Sequence, residues 1–200
     1  SCAVYKKGQY VFTENGLPAG LFCINSGKIK LTTTGYDGKE QILRLVKSGD
    51  IVGYRALLSN ERYHCSAVTL EDASICIIDK KYFFDAIESS PKLMFEVVKK
   101  MSQDLKVAED HIVSLSQKNV RERMAEALLF LKATYGFEED NQTINVSLSR
   151  EEIADYVGTS TESCIRLLSE FNNDKLISLK GKKISIVNLQ KLIQTANIED

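Results

Sequence analysis

The chain has 200 residues, 44% of them hydrophobic, which suits one large domain or two small ones with real cores. Its 26 Lys and Arg face 27 Asp and Glu, a net charge of −1, so bulk charge gives no sign of a non-specific nucleic-acid coat. No apolar run reaches about 18 residues and no signal peptide is visible, so a cytoplasmic protein with no membrane partner is expected. The chain opens on Ser1, almost directly in a strand-like run, so a preceding segment is expected to be missing.

Glycine divides the sequence. Eight of the 11 Gly fall at or before Gly53. Between them run QYVFTE, GLFCIN, KIKLTTT and EQILRLV, followed by HCSAVTL and ASICIID. Short β-rich runs separated by turn signals predict an antiparallel sandwich or barrel, so residues 1–80 read as a β-roll or small jelly roll. Tyr36-Asp37-Gly38-Lys39 reads as a hairpin tip around Asp-Gly. The five cysteines, Cys2, Cys23, Cys65, Cys76 and Cys164, include no CxxC pair, and their odd, scattered count predicts reduced thiols rather than a disulfide framework. The two histidines, His64 and His111, show no zinc-type spacing, and no metal site is expected.

Pro91 marks the next change, near the first turn of a long helix. Met94, Val98, Met101, Leu105, Ala108, Ile112 and Leu115 then recur at alternating spacings of four and three, an unbroken heptad seam. The ordinary alternative is an amphipathic helix packed on its own domain, but such a face drifts toward a 3.6 period. The strict seam, with Val98, Leu105 and Ile112 in one class, favours a parallel two-stranded pairing between two copies of the chain. Asp104 and Glu109 fall at flanking positions where they would face their counterparts across such a dimer.

After Asn119 a helix over about 120–135 carries Met124, Leu128, Leu129, Leu131 and Tyr135 and ends at Gly136. An acidic loop follows, then Ser149-Arg150-Glu151-Glu152, a capping box that opens a short helix with Ile153, Ala154 and Val157 on its apolar face. Gly158 permits a sharp turn. Thr159 or Ser160 caps a second helix with Cys164, Ile165, Leu167, Leu168 and Phe171 mostly inward and Thr161, Glu162, Ser163 and Arg166 outward. Glu162 and Arg166, four apart, also form an ordinary helix pair. LISLKGKKISIVN then reads as a hairpin with the basic tip Lys180-Gly181-Lys182-Lys183. Helix, turn, helix and basic hairpin in that order predict a winged helix that reads the major groove. Residues 119–200 hold 10 Lys and Arg against 13 Asp and Glu, so DNA affinity must come from placed cations: Arg121, Arg123, Arg150, Arg166, Lys180, Lys182 and Lys183.

The expected fold class is therefore α+β: a roll over 1–90, a dimerisation helix over 91–118 and a winged helix-turn-helix over 119–200. That order resembles the Crp/Fnr superfamily of bacterial transcription regulators, over nearly the whole chain. The specific parts are Asn25-Ser26-Gly27, Asp37-Gly38-Lys39-Glu40 and Ser48-Gly49-Asp50-Ile51-Val52-Gly53 in the roll, and Asn119-Val120-Arg121-Glu122-Arg123, Ser149-Arg150-Glu151-Glu152-Ile153-Ala154 and Val157-Gly158-Thr159-Ser160-x-Glu162-x-x-x-Arg166 after it. The resemblance implies a homodimer on a palindromic operator. Glu162 and Arg166 match the base-reading pair: arginine can donate twice to guanine, and glutamate can accept from cytosine N4. Thr161 stands where some members carry a further arginine, which favours a TTGA-like half-site. Arg150, Ser160, Ser163, Lys180, Lys182 and Lys183 are expected on the DNA backbone. RNA polymerase is an open candidate partner.

The effector region departs from the cyclic-AMP-binding pattern. Gly53 is followed by Tyr54 instead of the ribose-holding glutamate. The closing stretch Tyr63-His64-Cys65-Ser66 offers His64 or Cys65 in place of the phosphate-neutralising arginine, and Arg55 and Arg62 stand out of register. On the long helix, Ala108 and Glu109 occupy the adenine-contacting positions. Cyclic AMP is not expected. The iron–sulfur branch uses an N-terminal cysteine cluster plus one downstream cysteine; the cluster would lie before or at the start of this chain, where only Cys2 is present. Haem stays open as a ligand through His64 or His111. The main reading is a sequence-specific, non-enzymatic regulator answering an unidentified effector, with a haem-borne, redox or nitrosative signal among the candidates. The alternatives are an effector-independent regulator and a signalling scaffold with a nucleotide-binding roll. A cupin-like metal enzyme would need clustered histidines, and residues 1–80 hold one.

Overall fold

Alternation of side chains along short strands decides the first 80 residues. The structure, a computed structural model, describes residues 1–197. Strands β1 (Cys2–Tyr5), β2 (Tyr10–Phe12), β3 (Gly20–Ser26), β4 (Ile29–Thr34), β5 (Glu40–Val46), β6 (Ile51–Val52), β7 (Ser66–Thr69) and β8 (Ala73–Asp79) form two antiparallel sheets, ordered β1-β8-β3-β6 and β2-β7-β4-β5. One set of alternate residues, including Phe22, Ile24, Val52 and Ile75 from the first sheet and Ile29, Leu31 and Val46 from the second, meets in the interior with Phe12 and Tyr63. Fully burying one such aliphatic side chain contributes about 1.5–3 kcal/mol. The first sheet's other face packs Leu21 against Tyr54 and Leu57 of α1 (Tyr54–Ser59), Phe83 and Ile87 of α2 (Lys80–Ser89), and Val97. Neither α1 nor α2 was anticipated from sequence. α1 is too short to show a helical period, and α2 starts directly on the last residues of β8.

The expectation of five reduced thiols fails for one pair. Cys2 and Cys76 form a disulfide, while Cys23, Cys65 and Cys164 are free. The two partners are 74 residues apart, and only the antiparallel pairing of β1 with β8 sets them opposite each other. A pairing made by sheet register leaves no spacing motif to read.

α3 (Pro91–Gln117) is the long helix, with Ser90 Oγ accepting from the Leu93 backbone N–H at its start. Val97 is buried and Asp104 half-buried, whereas the heptad seam is open: Met94, Val98, Met101, Leu105, Ile112 and Leu115 are 38–65% exposed. No helix among the described residues is long and apolar enough to cross a membrane.

Two compact units divide the chain within α3, the second beginning at His111. In that unit α4 (Val120–Tyr135) carries a capping box of Asn119 and Glu122 and buries Met124, Leu128 and Leu131. The predicted Ser149/Glu152 box opens α5 (Arg150–Val157). Gly158 turns the chain at φ 73°, and α6 (Thr161–Asn173) follows with Ser160 as its cap. β9 (Ile177–Lys180) and β10 (Lys183–Ile186) form the hairpin, and Thr143 bridges to Ser185 beside it. A closing helix, α7 (Leu189–Ala196), adds Leu192 and Ala196 to the core.

Gly158 has two reasons to be glycine: its positive φ, and a Leu115 methyl that would lie 2.9 Å from any added Cβ. The left-handed conformation costs a non-glycine residue roughly 1–2 kcal/mol. Gly158→Ala is expected to lower the melting temperature by a few degrees in calorimetry; an unchanged melting temperature would show that the turn carries no such constraint.

Candidate nucleic-acid interface and sensor site

α6 presents two unlike faces. Cys164, Leu167, Leu168 and Phe171 are buried, while Glu162 and Arg166 are exposed and Thr161 and Ser163 partly so. Ile165 corrects the expectation: it is 49% exposed. With 3.6 residues per turn it falls beside Glu162 and Ser169, away from the buried stripe. Ser160 Oγ accepts from the Ser163 backbone N–H at 3.1 Å and donates to Ser163 Oγ, so both serines first serve the helix start. Arg166 pairs with Glu170 at 2.8 Å rather than with Glu162, which replaces the pair expected from spacing.

Several cations nominated for DNA are spent on the fold. Arg121 pairs with Glu170 and Asp174 and lies over the Phe171 ring. Arg123 donates to the carbonyls of Lys118, Val157 and Gly158. Arg150 donates to the Gly181 carbonyl at 2.8 Å, tying α5 to the hairpin tip. Lys183 pairs with Glu138 at 2.7 Å. Lys180 and Lys182 are exposed at that tip. The outward cationic set is thus Arg166, Lys180 and Lys182, with Arg150 and Lys183 at its margin.

In the roll, Gly53 (φ 86°) opens α1, and a Cβ there would lie 3.3 Å from both the Gly20 carbonyl oxygen and the Phe22 ring. Tyr54 is buried. Its hydroxyl donates to the Asp104 carboxylate, and Arg44 donates to the same carboxylate, to the Tyr54 hydroxyl at 3.1 Å and to the Ile51 carbonyl at 3.0 Å. Lys100 adds ion pairs to Asp104 at 3.2 Å and Asp50 at 3.3 Å. Asp104 therefore turns to the roll, not toward a partner helix. Burial, aided by Asp104 and opposed by Arg44, pushes the Tyr54 phenol up to about 12. Sequence reasoning missed this network. Its one signal was Arg44, a lone charge inside the apolar run ILRLV.

The other nominated groups do not converge. Arg62 donates to the Asn15 carbonyl and Arg55 lies 3.9 Å from Glu61. Ser66 Oγ accepts from the Glu14 backbone N–H. Cys65 is buried, which pushes its thiol up to about 11. His64 is exposed, yet desolvation of its ring and then the Arg55 charge lower its pKa. Ala108 and Glu109 are exposed on α3. His111 is occupied elsewhere: its Nε2 lies 3.2 Å from the Tyr156 carbonyl oxygen and its ring stacks on Tyr156. No group of three or more His, Cys, Asp or Glu placed to hold a metal occurs among the described residues.

Residues 3–90 match the cyclic nucleotide-binding domain family and residues 122–195 the Crp-like helix-turn-helix domain family. The fumarate and nitrate reduction regulatory protein of Vibrio cholerae is 32% identical over 196 residues, 96% of this chain and 77% of that protein. Its namesake from Yersinia pestis is 34% identical over 194 residues, 96% of this chain and 76% of that protein. The chain belongs to the Crp/Fnr family of transcription regulators. Solved structures share its fold. FixK2 from Bradyrhizobium japonicum gives a TM-score of 0.88 at 22% identity, covering 100% of this chain and 98% of that one. The Crp/Fnr-family regulator TTHA1359 of Thermus thermophilus gives 0.83 at 23%, covering 100% of both. This Crp/Fnr member is a DNA-binding transcription regulator and, like its relatives, not an enzyme.

A cyclic phosphodiester needs an uncommitted cation, and Arg44 is already engaged by Asp104, Tyr54 and Ile51. The Asp104 carboxylate, beside it, would repel the phosphate. Calorimetry with cyclic AMP should therefore show no binding in the micromolar range, whereas a tight, stoichiometric isotherm would mean that Arg44 changes partners.

Proposed function

We propose that this Crp/Fnr regulator is a cytoplasmic homodimer that reads a palindromic operator with TTGA-like half-sites, under control of an input other than a cyclic nucleotide. Residues 1–90 serve as the sensor, 91–118 as the dimerisation helix and 119–200 as the DNA reader. The observation that carries this reading is the outward face of α6. Glu162 and Arg166 stand exposed over a buried apolar stripe, beside a two-residue turn that displays Lys182. In this reading Glu162 and Arg166, with Thr161 beside them, meet base edges. Arg150, Ser160, Ser163, Lys180, Lys182 and Lys183 steady the backbone.

The dimer reading rests on the open seam of α3. Six large apolar side chains in strict heptad register, each at least 38% exposed, match what a second copy would cover. Leu105 is 60% exposed, so Leu105→Asp should leave each protomer folded. Two like charges would then meet at the seam, at a cost of several kcal/mol. Sedimentation is expected to show monomers, and a normal dimer would place the interface elsewhere.

Arg166→Ala should cost about 1–3 kcal/mol on the cognate operator and relax the preference for its guanine. Lys182→Ala should weaken all sequences alike and lower the salt slope by about one. Titrations against the operator and its single-base variants at several salt concentrations distinguish the two. Equal losses on cognate and altered sites for Arg166→Ala would overturn its assignment as a base reader.

A further inference from the structure

One cross-strand row of the first sheet carries three sulfurs. Cys2 on β1 pairs with Cys76 on β8, and Cys76 pairs on its other side with Cys23 on β3. Residues in register across a sheet share a face. That face is the outer one: Cys23 and its own partner Ile51 pack against the group formed by Leu21, Tyr54, Phe83, Ile87 and Val97, away from the roll's interior.

The hydrogen-bond alternation fixes the two spacings. Ser1 and Ile77 exchange both backbone bonds, so the next pair, Cys2 and Cys76, is a close non-hydrogen-bonded one, with Cα atoms 3.9 Å apart. Cys76 therefore directs its own N–H and C=O toward β3, which makes Cys76 and Cys23 a hydrogen-bonded pair at about 5.5 Å. A disulfide spans about 4.4–6.8 Å between Cα atoms and about 3.5–4.5 Å between Cβ atoms. The Cα spacing of this second pair lies inside that range, and its Cβ atoms, about 5.5 Å apart in a hydrogen-bonded pair, must approach by about 1 Å to bond. Cys2 is exposed, and Cys76 and Cys23 are half-buried. Cys65 and Cys164 are fully buried and belong to other parts of the fold.

We propose that Cys2, Cys76 and Cys23 form a thiol–disulfide exchange site in which Cys76 passes its disulfide between the edge strand β1 and strand β3. In the exchange the Cys23 thiolate attacks Cys76 Sγ. The Cys23–Cys76 bond forms, the Cys2–Cys76 bond breaks, and Cys2 leaves as a thiolate that takes up the proton Cys23 lost. No net oxidation occurs. When all three cysteines are reduced, the site takes low-molecular-weight disulfides at exposed Cys2. The Cys2 thiolate displaces one thiol from the incoming disulfide, then Cys76 attacks Cys2 Sγ and displaces the second, two electrons passing to the small molecule. Exchange moves a covalent tie from the sheet edge to a position beside Val97, where α3 is seated.

The test treats the purified chain with oxidised glutathione, quenches with acid and a maleimide, and maps disulfides by non-reducing tryptic mass spectrometry. Lys6, Lys7, Lys28, Arg62 and Lys80 are cleavage sites that place the three cysteines in separate peptides. Both the Cys2–Cys76 and the Cys23–Cys76 linkages are expected from the wild type. Cys2→Ser, on the exposed edge, should retain a Cys23–Cys76 bond, and Cys76→Ser should form no intrachain bond. Recovery of Cys2–Cys76 alone from the wild type, or of no intrachain linkage, would overturn the proposal. So would Cys2→Ser protein that elutes as wild type in gel filtration yet keeps Cys23 and Cys76 reduced.

Discussion

The aim of α6 rests on one guanidinium. Arg123 Nη1 donates to the Lys118 carbonyl at 2.8 Å, Nε to Val157 at 3.0 Å and Nη2 to Gly158 at 3.1 Å. These carbonyls lie at the chain's exit from α3 and at the end of α5, where helices leave acceptors unfilled and favour a positive charge. A planar fork with five donors can hold three of them together, and a lysine cannot. The Gly158 turn is thereby fixed against the start of α4, and the direction in which α6 leaves the turn follows from it.

This use of arginine explains how an acidic domain reads DNA. Arg121 and Arg123 are engaged with the protein itself and Arg150 in part, leaving a small outward set of cations. The sequence-independent affinity that counterion release supplies is then small, because few cations reach phosphates. In the proposed reading, preference comes from a few contacts at the start of α6. The roll shows a parallel economy. Its Arg44 is neutralised internally by Asp104 and steadied by Tyr54, so this cation is held by the chain's own helix and is not free for an anionic ligand.

Much of this was legible. All six strand runs, the Ser149 capping box, the Gly158 turn and the basic hairpin follow local rules of alternation, capping and turn chemistry, and each occurs where the residues indicate. Several of the misses share one cause. The Cys2–Cys76 bond, the Arg44–Asp104 pair and the structural engagement of Arg121 and Arg123 all join residues distant in sequence, and only tertiary packing brings them together. Ile165 departs from its expected side for a local reason: though hydrophobic, its helical phase sets it off the buried stripe.

The most direct measurement is selection from a pool of random duplex DNA, with the bound sequences read out over successive rounds. The expected result is an inverted repeat of TTGA-like half-sites centred about one helical turn apart, as a two-fold reader requires. Enrichment of a single asymmetric site, or no enrichment at all, would contradict a symmetric pair of α6 helices reading base edges.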